Sequence, residues 1–268
     1  MVLSVSENQG LILLQKLISN FNSGKMETVK RQYRLIPTFG DSFGTGWNAM
    51  MDNFLRLFLL VIILSIIAAP MKGFHFNFNP ENINWHHFDA EDFFTWGTFG
   101  IMAAFYGMLA LLYSMLVAPV FKFGGDMMFL QAVRQEKPDF EWLIKGFREN
   151  YLSIILANLL VTALILIGFI ALLVPGIIIA CRLVFVSFLV MDKKLDPIEA
   201  VETSWRMTRG YGWTIFFMGI VSFFIIIFGL ILLIIGIFPA IMWIGGTFAS
   251  LYESILRSNE KPAEPATE

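Results

Sequence analysis

Six stretches of the chain are apolar over most of the length that a helix needs to cross a bilayer, and they constrain the fold more than any other feature. They lie at Leu57–Pro70, Gly97–Ala118, Leu152–Val174, Ile177–Met191, Thr214–Ile235 and Pro239–Leu256. About 20 apolar residues cover the hydrocarbon core of a membrane. The composition agrees, because 57% of the residues are hydrophobic and 15% are charged, against about 45–50% and 25% in soluble domains. The sequence therefore predicts an integral membrane protein.

Two pairs of these stretches are separated only by turn-forming residues. Pro175-Gly176 stands between the third and fourth stretches, and Gly236–Pro239 stands between the fifth and sixth. Proline removes a helical hydrogen-bond donor and glycine lowers the cost of a turn, so both residues favour tight turns. We therefore predict an all-α, polytopic membrane helix bundle in which six transmembrane helices form three hairpins.

Basic residues lie almost entirely on one side of this predicted bundle. All but two of the 19 Lys and Arg residues fall in the N-terminal segment, the loops after the second and fourth spans, or the tail. The exceptions are Lys72 and Arg182, and the first loop, Met71–Trp96, carries four acidic residues instead. Since Lys and Arg mark cytoplasmic loops, the pattern predicts a multi-pass protein of the cell (inner) membrane with both termini in the cytoplasm.

The chain divides into three regions. We expect residues 1–36 to form a partly disordered cytoplasmic segment, residues 37–257 to form the six-span membrane domain, and residues 258–268, rich in Pro, Ala and Glu, to form a disordered cytoplasmic tail. The short apolar stretch Leu11–Ile18 is interrupted by polar residues, so no secretory signal peptide is evident. Both Met1 and Met26 stay open as the true start.

A short amphipathic helix, introduced by a proline, is predicted on the inner side before the first, third and fifth spans. The prolines are Pro37, Pro138 and Pro197, and the aromatic residues eight to ten positions later are Trp47, Phe147 and Trp205. In the last copy an apolar stripe adjoins a charged face. The pattern favours an internal repeat of three units, whose inner helices either lie in the membrane interface, where they would prefer anionic lipid, or pack under the bundle as a lid.

One part of the sequence resembles a known group of membrane proteins. The residues are Pro175-Gly176-Ile177 through Arg182, then Asp196-Pro197-Ile198-Glu199-Ala200, then Ser204-Trp205-Arg206-Met207-Thr208-Arg209-Gly210. They resemble the uncharacterised bacterial six-span families related to the membrane domain of glycerophosphoryl diester phosphodiesterases. The resemblance covers about 40 residues and implies a membrane module. Because no catalytic barrel sequence follows the last span, we expect no phosphodiesterase activity.

Several kinds of chemistry are disfavoured by the residues present. A net charge of −2 and a pI near 6.0 give no electrostatic footprint for nucleic acid. The single cysteine, Cys181, excludes a disulfide framework, and the three histidines all lie in the first loop. Neighbouring His86 and His87 point in different directions in regular structure, which disfavours a metal site. Since no nucleophile–base pair stands out, we expect no enzymatic activity, no metal and no cofactor.

Arg182 is the most informative single residue, because an arginine within a span is costly and normally faces the bundle interior or water. It either contacts a substrate or lipid headgroup, or bonds an acidic or carbonyl partner between helices, with Glu253 the nearest plausible acid. The residues that we predict as lipid or structural contacts are Arg182, Trp205, Arg206, Arg209, Pro175 and Gly176.

Two functions remain open from the sequence. The first is a non-enzymatic membrane module that interacts with lipid or supports a membrane or cytoplasmic protein partner. The second is a small transporter or channel in which Arg182 contacts the substrate. Few polar residues within the spans, and the absence of a predicted break in mid-span, favour the first.

Overall fold

The computed structural model describes residues 35–68, 90–232 and 236–260. These residues form helices and no strand. The helices are α1 Phe39–Asp52, α2 Phe54–Ala68, α3 Ala90–Leu116, α4 Ala118–Val133, α5 Glu141–Glu149, α6 Tyr151–Ala171, α7 Leu173–Arg182, α8 Val186–Asp192, α9 Pro197–Met207, α10 Gly212–Ile231 and α11 Ile237–Glu260. The predictions for residues 1–34, for most of the first loop and for the tail after Glu260 lie outside the described residues.

The described helices confirm a helical membrane protein, with four candidate spans by length and composition. These are Gly100–Val133, Tyr151–Ala171, Leu173–Asp192 and Gly212–Ile231. A fifth candidate arises if α1 and α2 count as one span, although the chain bends by 95° between them. The last predicted span is helical, but α11 is not among these candidates, and it buries four polar side chains in the core. They are Thr247, Ser250, Glu253 and Ser254.

The core forms where α4, α8 and α11 meet, and we call these three the central helices. Tyr252 of α11 is fully buried, and its ring lies 5.0 Å from that of Phe188 on α8 and 5.7 Å from that of Phe185 just before it. Met128 and Leu130 bring α4 into the same fully buried core. Aromatic packing of this kind adds about 0.5–1.5 kcal/mol per pair beyond area burial.

An ionic cluster ties the three central helices together beyond the apolar core. Arg134, which follows α4, donates two hydrogen bonds to Asp192 at the end of α8 and one of 2.9 Å to Glu253 on α11. Arg257 also donates to Glu253 (2.8 Å), and the Tyr252 hydroxyl donates to Asp192 (3.1 Å). Burial alone would lower the pKa of Arg134, but the hydrogen bond to Asp192 and the negative charges beside it raise that pKa, so the cluster keeps its charge.

The three inner helices, α1, α5 and α9, each press a small residue against another part of the bundle. Each small residue directly precedes the predicted aromatic residue: Gly46, Gly146 and Ser204. A Cβ added to Gly46 would lie 2.6 Å from the backbone nitrogen of Thr247 in α11, and one added to Gly146 would lie 2.8 Å from Val120 in α4. The Ser204 hydroxyl donates to the carbonyl of the last residue of α7. The sequence predicted the apolar and charged faces of these helices, but it did not predict this third, small-residue face.

The turn between α6 and α7 lies earlier than predicted. The helix breaks at Leu172, which is extended (φ −170°, ψ 157°), and α7 begins at Leu173. Pro175 therefore falls in the first turn of α7, where the missing N–H costs no hydrogen bond. Gly176 permits close packing, because a Cβ on Gly168 of α6 would lie 2.9 Å from the Gly176 Cα. The prediction of a Pro175-Gly176 turn was wrong by three residues.

Candidate functional site

The predicted fourth span contains an irregular turn directly after Arg182. The residue ends α7, Leu183–Phe185 form a non-helical turn, and α8 begins at Val186. A break leaves backbone carbonyls without helical partners, and such groups must be satisfied inside a membrane protein. The Arg182 carbonyl accepts hydrogen bonds from Ser204 Oγ (2.7 Å) and Thr208 Oγ1 (3.4 Å) of the α9 region. The sequence predicted a continuous span, and Leu173–Asp192 is still one candidate span by length and composition, so the irregular turn after Arg182 is a detail that the sequence did not predict.

The Arg182 guanidinium has no salt bridge within the part of the chain that the structure describes. Its Nη1 atom is buried and has no hydrogen-bond partner there. The guanidinium carbon lies 5.8 Å from the ring centroid of Trp205, within the range of a cation–π contact. Glu253, the acid that the sequence suggested as a partner, instead binds Arg134 and Arg257.

A cavity of about 510 Å³ opens beside this guanidinium. One wall comes from one face of α7, and the other comes from the start of α10 and the loop before it. The lining residues are Val174, Ile177, Ile178, Cys181, Arg182, Gly210, Gly212, Trp213 and Phe216. Its volume falls within the range of small-molecule sites, which combine apolar walls with a few polar groups. Arg182 is the only charged residue in this lining.

Two glycines shape the cavity next to Arg182. Gly210 has φ +88°, a conformation that side chains disfavour, and it turns the chain from α9 towards α10. A Cβ added to Gly212 would meet only Arg182 Nη2, at 4.0 Å. Tyr211 precedes α10 and makes no side-chain hydrogen bond that caps the helix. The guanidinium thus lies at the beginning of a 20-residue helix.

Helix α9 and the turn that follows it carry three other predicted contact residues, Trp205, Arg206 and Arg209. The packed face of α9 contains Ala200, Ser204 and Met207, all buried. The side chains of Ile198 and Trp205 remain 68% and 38% exposed. Arg206 and Arg209 are exposed as well. The helix therefore packs on the bundle through one face and presents apolar and basic groups on the other.

Of the six predicted contact residues, the structure brings Arg182 and Trp205 together. Arg206 and Arg209 are exposed near them, while Pro175 and Gly176 lie in the first turn of α7, at the far end of the cavity wall. The cavity wall from Gly210 to Phe216 was not predicted from the sequence. The two glycines just before the fifth span, Gly210 and Gly212, could have indicated it.

No group of three or more His, Cys, Asp or Glu in the described ranges could hold a metal ion. The three histidines lie outside those ranges. No protein-family model, curated protein or solved structure matches the chain. The functional interpretation therefore rests on the geometry around Arg182 and α9.

Proposed function

We propose that this protein is a non-enzymatic, multi-pass membrane module that binds membrane lipid through its inner helices. The observation that carries the proposal is the outward face of α9, which exposes Ile198 and Trp205 next to Arg206 and Arg209. Tryptophan favours the level of the headgroups, and arginine pairs with phosphate. The opposite, packed face of α9 fixes the orientation of these groups.

The other two inner helices support the same proposal. On α1, Trp47 and Met51 are 43% and 55% exposed. On α5, Ile144 is 61% exposed and the Lys145 ammonium lies 4.4 Å from the Trp142 ring centroid. Large exposed apolar side chains beside basic ones, as on α5, are typical of helices that lie in a membrane interface. Helix α1 contributes exposed apolar side chains and carries no basic residue. The lid alternative leaves these side chains without a lipid contact.

With Trp205 as the only tryptophan, its fluorescence is expected to be quenched more strongly by lipids brominated near the headgroup than by lipids brominated deep in the acyl chain. Each basic residue near an anionic surface contributes about 1 kcal/mol to the binding free energy. The negative charges of Glu199 and Glu202 oppose this attraction. We therefore expect Arg206→Ala to reduce the preference for anionic vesicles two- to fivefold and Glu202→Gln to increase it. Absence of quenching, with unchanged lipid co-purification in the Arg206→Ala, Arg209→Ala variant, would exclude interfacial binding.

The six-span topology, with both termini in the cytoplasm, is part of this proposal. Reporter fusions at Lys193 and Ser258 are expected to report the cytoplasm, and a fusion at Asn82 the outer side. This orientation is expected from the distribution of Lys and Arg, because positively charged residues remain on the cytoplasmic side. Activity of a periplasmic reporter at Lys193 would show that the number of crossings before it is odd.

An internal repeat of three units also forms part of the proposal, and the packing of the inner helices supports it. The units would be α1–α4, α5–α8 and α9–α11. Helix α5 packs on α4, α9 packs on α6 and α8, and α1 packs on α11, so each inner helix contacts the preceding unit and the first contacts the last. Units that cannot bury their own faces are expected to pack in this way. A relation to the membrane domain of the phosphodiesterases stays a proposal on the quoted residues alone.

The break after Arg182 favours one alternative, a small transporter, because transporters place substrate sites at interrupted helices. Proteoliposomes containing a fluorescent anionic lipid analogue separate the two functions. If the protein only binds lipid, the labelled lipid in the inner leaflet stays protected from a quencher added outside, as it does in protein-free liposomes. Progressive loss of that protection would support transport.

A further inference from the structure

We infer that the cavity beside Arg182 binds an anionic amphiphile, with its carboxylate or phosphate group on the guanidinium and its apolar chain along α7. The inference rests on the proposed lipid-binding function and names the class of ligand and its site. It combines a buried guanidinium nitrogen that has no partner in the described chain with an apolar cavity of about 510 Å³ that begins at the same side chain.

The carboxylates of Asp192 and Glu253 are already engaged by Arg134. The Trp205 ring covers part of the guanidinium, at 5.8 Å, but it accepts no hydrogen bond at Nη1. Arg182 is partly buried, and its buried Nη1 donor is without a hydrogen-bond acceptor in the described chain. A buried donor needs an acceptor, and a bound anion supplies one together with the opposite charge.

The shape of the cavity selects a ligand with a chain. Val174, Ile177, Ile178 and Cys181 repeat at helical spacing and form one apolar stripe on α7 that leads to Arg182. From Val174 to Arg182 this stripe extends about 12 Å at the helical rise. An inorganic anion would leave the stripe uncovered, and a neutral lipid would leave the guanidinium unpaired.

The site also lies at a suitable depth for a headgroup. Helix α10 has 20 residues, which span about 30 Å and match the hydrocarbon core. Its first residue, Gly212, therefore lies near the membrane boundary when α10 crosses the bilayer. A Cβ on Gly212 would be 4.0 Å from Arg182 Nη2, so the long side chain of Arg182 extends from the middle of the Leu173–Asp192 span towards this boundary. The absent side chain leaves room there for the anionic group.

The test uses the full-length protein, delipidated in a neutral detergent, with binding measured by native mass spectrometry and thermal stabilisation. The probes are dodecanoate, dodecyl phosphate, dodecanol and inorganic phosphate. We expect at least one of the two anionic amphiphiles to bind at least tenfold more tightly than dodecanol and inorganic phosphate. The preferred one distinguishes a fatty acid from a phospholipid source.

Three variants locate the binding. Arg182→Ala is expected to weaken the preferred probe at least tenfold, since hydrogen bonds to charged groups account for factors of that size, and Arg182→Lys is expected to be intermediate. Gly212→Leu fills the space beside Nη2 and should weaken binding while keeping the arginine. Lys137→Ala, which removes an exposed basic residue from the loop between α4 and α5, should bind the probe like the parent protein.

The proposal is overturned if dodecanol binds as tightly as both anionic amphiphiles, if inorganic phosphate binds as tightly as dodecyl phosphate, or if neither anionic amphiphile binds. These comparisons use the unaltered protein and do not depend on the folding of any variant. Unchanged binding in folded Gly212→Leu and Arg182→Lys would also overturn it. A further outcome separates the two proposals. If brominated lipid still quenches Trp205 but none of the four probes binds, the cavity site is rejected and the interfacial lipid binding proposed for α9 is retained.

Discussion

Replacement of Arg134 by leucine is expected to destabilise the protein by about 3–5 kcal/mol. The guanidinium joins α4 to Asp192 at the end of α8 and to Glu253 on α11, and the carboxylate side chains are only 8% and 6% exposed. Its removal leaves two carboxylates close together in the interior, with Arg257 as a partner for one of them. An uncompensated buried charge costs far more than the lost attraction between exposed ions.

The loss in Arg134→Leu is measured as the change in the free energy of unfolding, from SDS titration followed by circular dichroism. Glu149→Gln provides the matched control, because Glu149 pairs with Lys194 and Lys145 at the surface, where its side chain is 44% exposed. Exposed pairs contribute about 0–1 kcal/mol, so this variant should unfold almost like the parent. Equal effects of the two substitutions would show that the Arg134 cluster is hydrated and does not join the central helices.

Gly46→Ala is expected to destabilise the protein by about 1–3 kcal/mol, the usual cost of overpacking a tight contact. The added methyl group would lie 2.6 Å from the backbone nitrogen of Thr247 and 2.8 Å from its Cα. Backbone atoms cannot rotate away as a flexible side chain does, so α1 must move off α11. The hydrogen bond from Trp243 Nε1 to the Phe43 carbonyl, now 3.0 Å, should weaken with it.

Gly44→Ala on the same helix separates this packing effect from helix propensity. Gly44 is exposed, and a Cβ there meets nothing within 4 Å. Alanine favours a helix interior over glycine by about 0.5–1 kcal/mol, so Gly44→Ala should be slightly stabilising in the same SDS titration. If Gly46→Ala also stabilises, α1 is not held tightly against α11.

The class of fold could be predicted from the sequence because long apolar stretches and one-sided basic residues are both local signals. The inner helices also follow from local signals, with a proline at the start and an aromatic residue in the stripe. The packed faces could not be predicted in the same way. Gly46, Gly146 and Ser204 contribute little hydrophobicity, and their importance depends on which backbone lies opposite.

The candidate site was partly predictable for the same reason. Arg182 stands out because a charge within an apolar stretch is rare, and Trp205 stands out in the repeated pattern. The helix break after Arg182 carries no proline or glycine, since Leu183–Phe185 are ordinary apolar residues. Its carbonyl is stabilised by Ser204 and Thr208, more than 20 residues later. Such a break, and the cavity wall opposite it, depend on tertiary packing that no local pattern encodes.

The contact between α1 and α11 has a consequence for biosynthesis. The hydrogen bond between Trp243 and Phe43 joins residues 200 positions apart. At about 5–20 residues per second, the ribosome needs roughly 10–40 s to make the chain between them. During that interval the small-residue face of α1 has no partner, although the helix itself is already complete. In a nascent chain, α1 would therefore remain at the membrane surface, or bound to an insertase, until α11 has been synthesised.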